Sequence, residues 1–356
     1  MNYSILRYIL GYVLKIEAAF MLLPCVTSLI YHEEEGRYFF VVACICMLIG
    51  VLMTLHKPKS TTFYLKEGCL ATSLSWILLS LFGAIPFWIS GEIPHWEDAL
   101  FETISGFTTT GATVLGNVEA LSHTALIWRS FTHWIGGMGV LVFLLAILPL
   151  SGGSSINLMR AESPGPSVGK LVPKVRYTAM ILYTIYFGMT VIEFIFLLAG
   201  HMPLFDALTT AFGTAGTGGF GIKNDSIMGY SPYIQWVVAI FMILFGINFN
   251  FYFYLLYRHF KKAVSMEEIH YYLAMILIAI TIIFLNVRTM YPTGFEAMTH
   301  SVFQVASLAT STGFSTTDFD LWPQTSQTIL IIVMFVGACA GSTGGGIKVS
   351  RIVILF

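Results

Sequence analysis

Long apolar runs recur from one end of the chain to the other, each closed by a short polar stretch. They lie at about residues 5–30, 39–55, 69–89, 125–150, 177–199, 233–257, 269–287 and 328–356. A bilayer core about 30 Å thick takes about 20 apolar residues per helical crossing, so the pattern predicts eight transmembrane helices. The runs are continuous, which excludes a transmembrane β-barrel, whose strands alternate polar and apolar over about ten residues. The first run reads as a retained helix rather than a cleaved signal peptide: Pro24 stands where the faint cleavage box at 22–25 needs a small residue, and a second run follows at once.

Three of the polar connections are patterned. Each begins with a short helix-like stretch, at about 97–106, 204–212 and 296–307, and ends in Thr, Ser and Gly. FETISGFTTTG at 101–111 aligns with FQVASLATSTG at 303–313, matching Phe101 with Phe303, Ser105 with Ser307, Thr108 with Thr310, Thr110 with Thr312 and Gly111 with Gly313. LTTAFGTAGTG at 208–218 fits the same frame more loosely, keeping Thr217 and Gly218. Internal repetition of this kind defines the unit of the fold: span, short helix, Thr/Gly segment, span. An even number of spans per unit gives successive units one orientation. Parallel repeats about an axis along the membrane normal follow, rather than the inverted repeats common in secondary transporters, and they suggest a central pore. The expected organisation is two extra N-terminal transmembrane helices in 1–60, then repeats over 61–152, 170–262 and 266–356.

The residue types point to cation chemistry. A dehydrated cation needs oxygen ligands in place of water, and a ring of backbone carbonyls supplies them. Glycine allows backbone angles that turn carbonyls toward an axis where a side chain would clash, so Gly111, Gly218 and Gly313 are the expected central residues, with Thr110, Thr217 and Thr312 before them. Each short helix would aim its partly negative C-terminal end at the path. One such stretch alone reads as an ordinary outer loop; three in register read as a pore.

The last apolar run holds GACAGSTGGG at 337–346, five glycines in ten residues. Each costs about 1 kcal/mol relative to Ala in a helix, so the run should unwind there. Unwound backbone at membrane depth must border protein or water, and the expectation is a barrier beneath the pore, with a tight small-residue helix crossing as the alternative. Two nucleotide-like motifs are rejected. Gly216-x-Gly218-x-x-Gly221 follows no strand and opens no helix with an acidic residue about 20 positions on, and GSTGGGIK at 341–348 has Ile347 in the place of the P-loop lysine.

Composition agrees: 56% of the 356 residues are hydrophobic and 10% charged, against about 45–50% and about 25% in soluble domains. A net charge of −1 leaves no basic footprint for nucleic acid. Lys57, Lys59, Lys66, Arg160, Lys170, Lys174, Arg176, Arg258, Lys261 and Lys262 fall in one set of loops, and only Arg37, Lys223 and Arg288 in the other. The positive-inside rule then puts the first set and both termini in the cytoplasm. The acidic residues favour the outer side, where they concentrate cations. Cys25, Cys44, Cys46, Cys69 and Cys339 form no CxxC pair and read as core or lipid-facing residues. Intramembrane Glu17, Glu193 and Arg129 are functional candidates by default. Snorkelling for Arg129 near its helix end and structural pairing for Glu193 are the plainer expectations. The chain does not read as an enzyme: no Ser/His/Asp or HExxH set is present. The alternatives are a sodium-conducting pore and a cation-coupled secondary transporter, and the latter lacks visible inverted repeats.

WRSFTHWIGGMGVLV at 128–142, TTTGAT at 108–113 and GACAGSTGGGIK at 337–348 together resemble the TrkH branch of the Trk/Ktr/HKT potassium transporters, over the whole chain. The resemblance implies an all-α polytopic membrane protein with span/pore-helix/span repeats around a pseudo-fourfold potassium pore, three of them present here. Thr109, Thr110, Gly111 and Ala112 would form the first filter strand, Gly216, Thr217, Gly218 and Gly219 the second, and Ser311, Thr312, Gly313 and Phe314 the third. Gly111 is associated with potassium preference over sodium. Gly337, Gly341, Ser342, Thr343, Gly344, Gly345 and Gly346 would belong to an intramembrane gating loop. The resemblance further implies an inner-membrane homodimer, a cytoplasmic TrkA-type nucleotide-binding regulatory subunit, K+ as the transported ion with channel-like passage or symport, and no organic cofactor. A fourth filter glycine is due about 100 residues beyond Gly313, by the repeat spacing. The 356-residue chain is therefore expected to be a piece of a longer protein that does not conduct alone.

Overall fold

The computed structural model describes residues 2–58, 65–139 and 175–355, and every regular element among them is helical. Two compact units emerge, Met1–Thr108 with Ala112–Tyr183, and Thr109–Gly111 with Thr184–Phe356.

In the first unit, α1 (Tyr3–Phe20) and α2 (Leu22–Tyr31) make one long apolar rod, and α3 (Gly36–Thr54) returns alongside it. Small residues let α1 and α3 touch backbone to backbone: a Cβ on Gly50 would lie 2.7 Å from the Gly11 carbonyl oxygen, the close approach that membrane helices use where apolar burial gives no advantage over lipid. The long α4 (Leu65–Ser90), the short α5 (Trp96–Phe107) and α6 (His123–Met138) complete the unit. Its core is aromatic. Trp128 is fully buried, with Phe39 and Phe107 edge-on at ring-centroid distances of 6.0 and 6.1 Å, and its indole N–H donates to the Gly83 carbonyl at 3.1 Å.

The helix α7 (Val175–Ala199) leads into the second unit, followed by the short α8 (Leu204–Ala215). Next come α9 (Pro232–Phe245) and α10 (Phe249–Leu256), which meet at 91°. The five-residue α11 (Phe260–Val264), α12 (Glu267–Val287), α13 (Gly294–Ala309), α14 (Gln324–Val336) and α15 (Val349–Leu355) follow.

Eight uninterrupted spans are not what forms. Five helices among the described residues are long and apolar enough to cross a membrane, six if the bent pair is one span. The expected 233–257 span breaks at Gly246 to Asn248. The Asn248 side chain caps α10 by accepting from the Asn250 N–H at 2.9 Å, and Gly246 lies under the Tyr272 hydroxyl with no room for a Cβ. The expected 328–356 span stops at Val336 and resumes at Val349, as its glycines demand. The part of the 125–150 span past Gly139 lies outside the described residues, as do Lys59, Arg160, Lys170 and Lys174 of the basic set.

Candidate functional site

Each of the three short helices runs directly into its Thr/Gly segment. The helices α5, α8 and α13 end at Phe107, Ala215 and Ala309, with Thr108, Gly216 and Thr310 as their C-caps. Past each cap the backbone repeats one pattern: a left-handed non-glycine residue, one ordinary residue, then a glycine with positive φ. The triplets are Thr109 (φ 53°) with Gly111 (73°), Thr217 (52°) with Gly219 (75°), and Ser311 (57°) with Gly313 (89°). The second segment is therefore in register one residue later than its sequence suggests. Gly219, not Gly218, matches Gly111 and Gly313; Gly216 is a helix cap rather than part of the strand, and Phe220 takes the place of Ala112 and Phe314.

Hydrogen bonds carry the same register. The Ser105 hydroxyl donates to the Ala112 carbonyl at 2.6 Å, and Ser307 donates to Phe314 at 2.6 Å. In the second segment Gly213 holds the serine position, and a Cβ there would sit 3.3 Å from the Phe220 carbonyl oxygen. The shift arises because α8 continues to Ala215, past the expected end near 212.

The three segments pack in sequence. A Cβ on Gly111 would collide with the Gly218 carbonyl oxygen, and one on Gly219 with that of Thr312. Gly218 and Thr312 occupy equivalent positions, so the same glycine-to-carbonyl contact occurs twice. Glycine is needed here for conformation and for space together. A Cβ on Gly313 meets nothing within 4 Å among the described residues. Gly218 and Thr312 are buried, while Thr110 and Gly313 on the two flanks are exposed.

Polar side chains brace the exits. Glu102 of α5 accepts from the Thr113 hydroxyl at 2.9 Å and the Val114 N–H at 3.3 Å. It also pairs with Arg129 of α6, whose Nε donates at 2.8 Å and whose terminal nitrogen lies at 2.6 Å. Arg129 is 2% exposed, so it does not snorkel; it neutralises a carboxylate that fixes the first segment. In the third segment Gln304, three residues before the α13 serine as Glu102 is before Ser105, donates to Ser315 and to the Thr317 carbonyl, both at 3.2 Å. Glu17 and Glu193 are buried with no ion pair among the described residues, and Glu193 sits beside Thr214 of α8.

The glycine loop between α14 and α15 is knotted at its base. The Lys348 N–H donates to Val336 at 2.9 Å and the Ile347 N–H to Phe335 at 3.1 Å, while Gly337 (φ 76°) lies against the Gly345 carbonyl. The loop fills the corner opened by the α9/α10 bend: Cys339 N–H donates to Gly246 at 3.0 Å, Phe249 N–H to Gly341 at 2.9 Å, and the Thr343 hydroxyl to Phe245 at 3.2 Å. Ser342 closes a local turn onto Cys339, and the Lys348 ammonium donates to the Gly344 carbonyl. Two bonds join the loop to the Thr/Gly segments. The Thr217 hydroxyl donates to the Thr343 carbonyl at 2.9 Å, and the Gly345 N–H donates to the Ser311 hydroxyl at 2.6 Å. Both residues hold the strained left-handed position, which persists only where surroundings fix it.

Sequence reasoning missed two carboxylates. Glu33, between α2 and α3, caps α6: its oxygens accept from the His123 and Thr124 N–H groups, both at 2.9 Å, and from the Thr124 hydroxyl at 2.6 Å. Burial pushes its pKa up, but these bonds together bring it below the ordinary value. Glu268 of α12 contacts the glycine loop at Ala340. Neither is marked by any local motif; only tertiary structure brings them to their partners.

A family model described as a cation transport protein, TrkH, matches residues 36–356. The Trk system potassium uptake protein TrkH of Salmonella typhimurium (strain LT2) is 36% identical, the match covering 100% of this chain and 75% of the relative. The Trk system potassium uptake protein TrkG of Escherichia coli K12 is 33% identical over 99% of this chain and 74% of its own. The crystal structure of the potassium transporter TrkH from Vibrio parahaemolyticus superposes with a TM-score of 0.87 at 30% identity, covering 100% of this chain and 74% of that one. With helices, patterned segments and full-length similarity in agreement, the chain belongs to the TrkH family of cation transport proteins, a family of transporters and not of enzymes.

Proposed function

We propose that the protein takes up potassium across the inner membrane through a filter of backbone carbonyls, closed beneath by the 337–346 loop. The observation that carries this is the repeated packing of a positive-φ glycine against the carbonyl of the next segment, Gly111 on Gly218 and Gly219 on Thr312. Backbone stacked this way presents carbonyl oxygen in place of side chains, the ligand that a dehydrated cation requires. The filter set becomes Thr109 to Ala112, Thr217 to Phe220 and Ser311 to Phe314. Potassium is favoured over sodium because the relatives are named potassium uptake proteins and the central position of the first segment is a glycine.

Lys57, Lys66, Arg258, Lys261 and Lys262 are exposed, which suits a cytoplasmic face and the docking of a TrkA-type regulatory subunit. The family resemblance extends the reading to a homodimer. The test is growth and rubidium uptake in cells stripped of their own potassium uptake. Expression should restore growth at low potassium, and Gly111→Ser should relax selectivity toward sodium. Unaltered selectivity in that variant would remove Gly111 from the filter, and uptake of sodium in place of potassium would change the ion.

A further inference from the structure

Glu268 stands in the first turn of α12, outside every motif in the sequence. One of its carboxylate oxygens accepts from the Ala340 N–H at 2.6 Å and from the Ser350 N–H at 3.3 Å. These donors lie on opposite limbs of the glycine loop: Ala340 on the way in, Ser350 in the first turn of α15 beyond the way out. A single side chain from another helix thus ties both limbs together. Bonds from backbone N–H to a charged acceptor are the stronger kind, and a carboxylate at the first turn of a helix is further favoured by the backbone dipoles.

Besides its bonds to the α9/α10 corner and across its own base, the loop has side-chain ties on two sides. Toward the filter segments it is tied by Thr217 and Ser311, whose bonds run through hydroxyl groups. Away from them it is tied by Glu268, which is half-buried and so within reach of solvent or a partner. Four glycines between Ala340 and Ser350 give the released backbone a large gain in conformational freedom. The tie at Glu268 adds a side-chain clamp across both limbs to the backbone bonds that seat the loop in the α9/α10 corner and at its base.

We propose that Glu268 is a positioning residue that staples the glycine loop shut, and that freeing its carboxylate lets the loop leave the α9/α10 corner while Thr217 and Ser311 hold the opposite edge. The inference rests on reading the loop as the gate. Cys339 supplies a built-in reporter, because it is fully buried and its own N–H is bonded to Gly246 across that corner.

The experiment uses the full protein in lipid vesicles with Cys25, Cys44, Cys46 and Cys69 replaced by alanine, and a charged methanethiosulfonate reagent as the probe of Cys339. Glu268→Ala should raise the rate of Cys339 modification by about tenfold, since the opening equilibrium scales with the bonds released. Glu268→Gln, which keeps an acceptor oxygen but loses the charge, should raise it by less, and Glu267→Ala should leave it unchanged. Rubidium flux should rise in the same order. Modification within about twofold of the parent in a monodisperse Glu268→Ala protein overturns the staple; if that variant does not fold, unchanged modification in Glu268→Gln does so. Cys339 exposed without any rise in flux would leave the staple standing and overturn the loop as gate.

Discussion

At the scale of single residues, the site is decided by where a Cβ can and cannot exist. Gly218 and Gly219 are adjacent and chemically identical, yet of the two only Gly219 has positive φ, and a Cβ on it would meet the Thr312 carbonyl. Alanine at 219 must clash with Thr312 backbone and adopt a costly left-handed conformation, about 1 kcal/mol or more before the clash. Gly219→Ala should therefore abolish rubidium uptake where Gly218→Ala reduces it less; equal loss in both would return the second segment to the register read from sequence. The Glu102–Arg129 pair makes a second contrast. Removing one partner of a buried pair costs about 3–5 kcal/mol because the other charge is stranded. Glu102→Gln alone should lower the apparent Tm sharply, and adding Arg129→Met should recover most of it, since Gln304 already does the bracing in the third segment without a charge.

At the scale of elements, the ends of helices carry the information. The start of α6 is held by Glu33 rather than by its own side chains alone, with Ser122 adding the ordinary N-cap bond to Ala125 at 3.1 Å. Because Glu33 titrates below the ordinary value of 4.5, its stabilisation is complete above that value and fades as pH falls through the lower, folded one. Glu92 behaves oppositely: burial pushes its pKa up, so its charged form is the less comfortable one near neutral pH. Protection of the His123 and Thr124 amides from exchange, relative to their intrinsic rates, should fall as the pH drops below the ordinary carboxylate value of 4.5, and Glu33→Gln should show the weaker protection already at neutral pH. Protection that is independent of pH and equal in both proteins would remove Glu33 as the cap.

These ends also mark what was legible in the sequence. The three short helices were found to within three residues at either end, because each sits between apolar runs and finishes in Thr or Gly. The alignment of the first and third segments is matched in the backbone, Ser105 and Ser307 making equivalent bonds and Gly111 and Gly313 both having positive φ. The second was misread because Gly213 deletes the serine, and Gly216, Gly218 and Gly219 offer competing choices that composition alone cannot rank. The α9/α10 break was missed for a similar reason. Its Gly246 and Asn248 are submerged in an otherwise apolar run, and the 91° turn depends on Tyr272 and on loop residues about 90 positions away.

At the scale of the whole molecule, irregular backbone is concentrated where helices would be easiest to build. Gly139, Gly246 and Gly337 each terminate the helix that follows a Thr/Gly segment. Interrupted helices at membrane depth need protein or water around their freed groups, and here the freed groups find one another: the glycine loop spends its amides and carbonyls on the α9/α10 corner, on Ser311 and Thr217, and on Glu268. Few charged side chains are needed because backbone dipoles do their work, consistent with a chain that is only 10% charged.

The crossed base of the glycine loop has a kinetic consequence. Lys348 to Val336, Ile347 to Phe335 and the tight meeting of Gly337 with Gly345 and Gly346 tie the loop's two ends into a closed ring of backbone. On the proposed reading of the loop as the gate, such a ring should swing as one flap instead of fraying residue by residue, and opening should be a two-state event with its own barrier. Current recorded from single molecules should switch between discrete levels with exponential dwell times, and loosening the base by Gly337→Ala should replace those levels with a continuous spread.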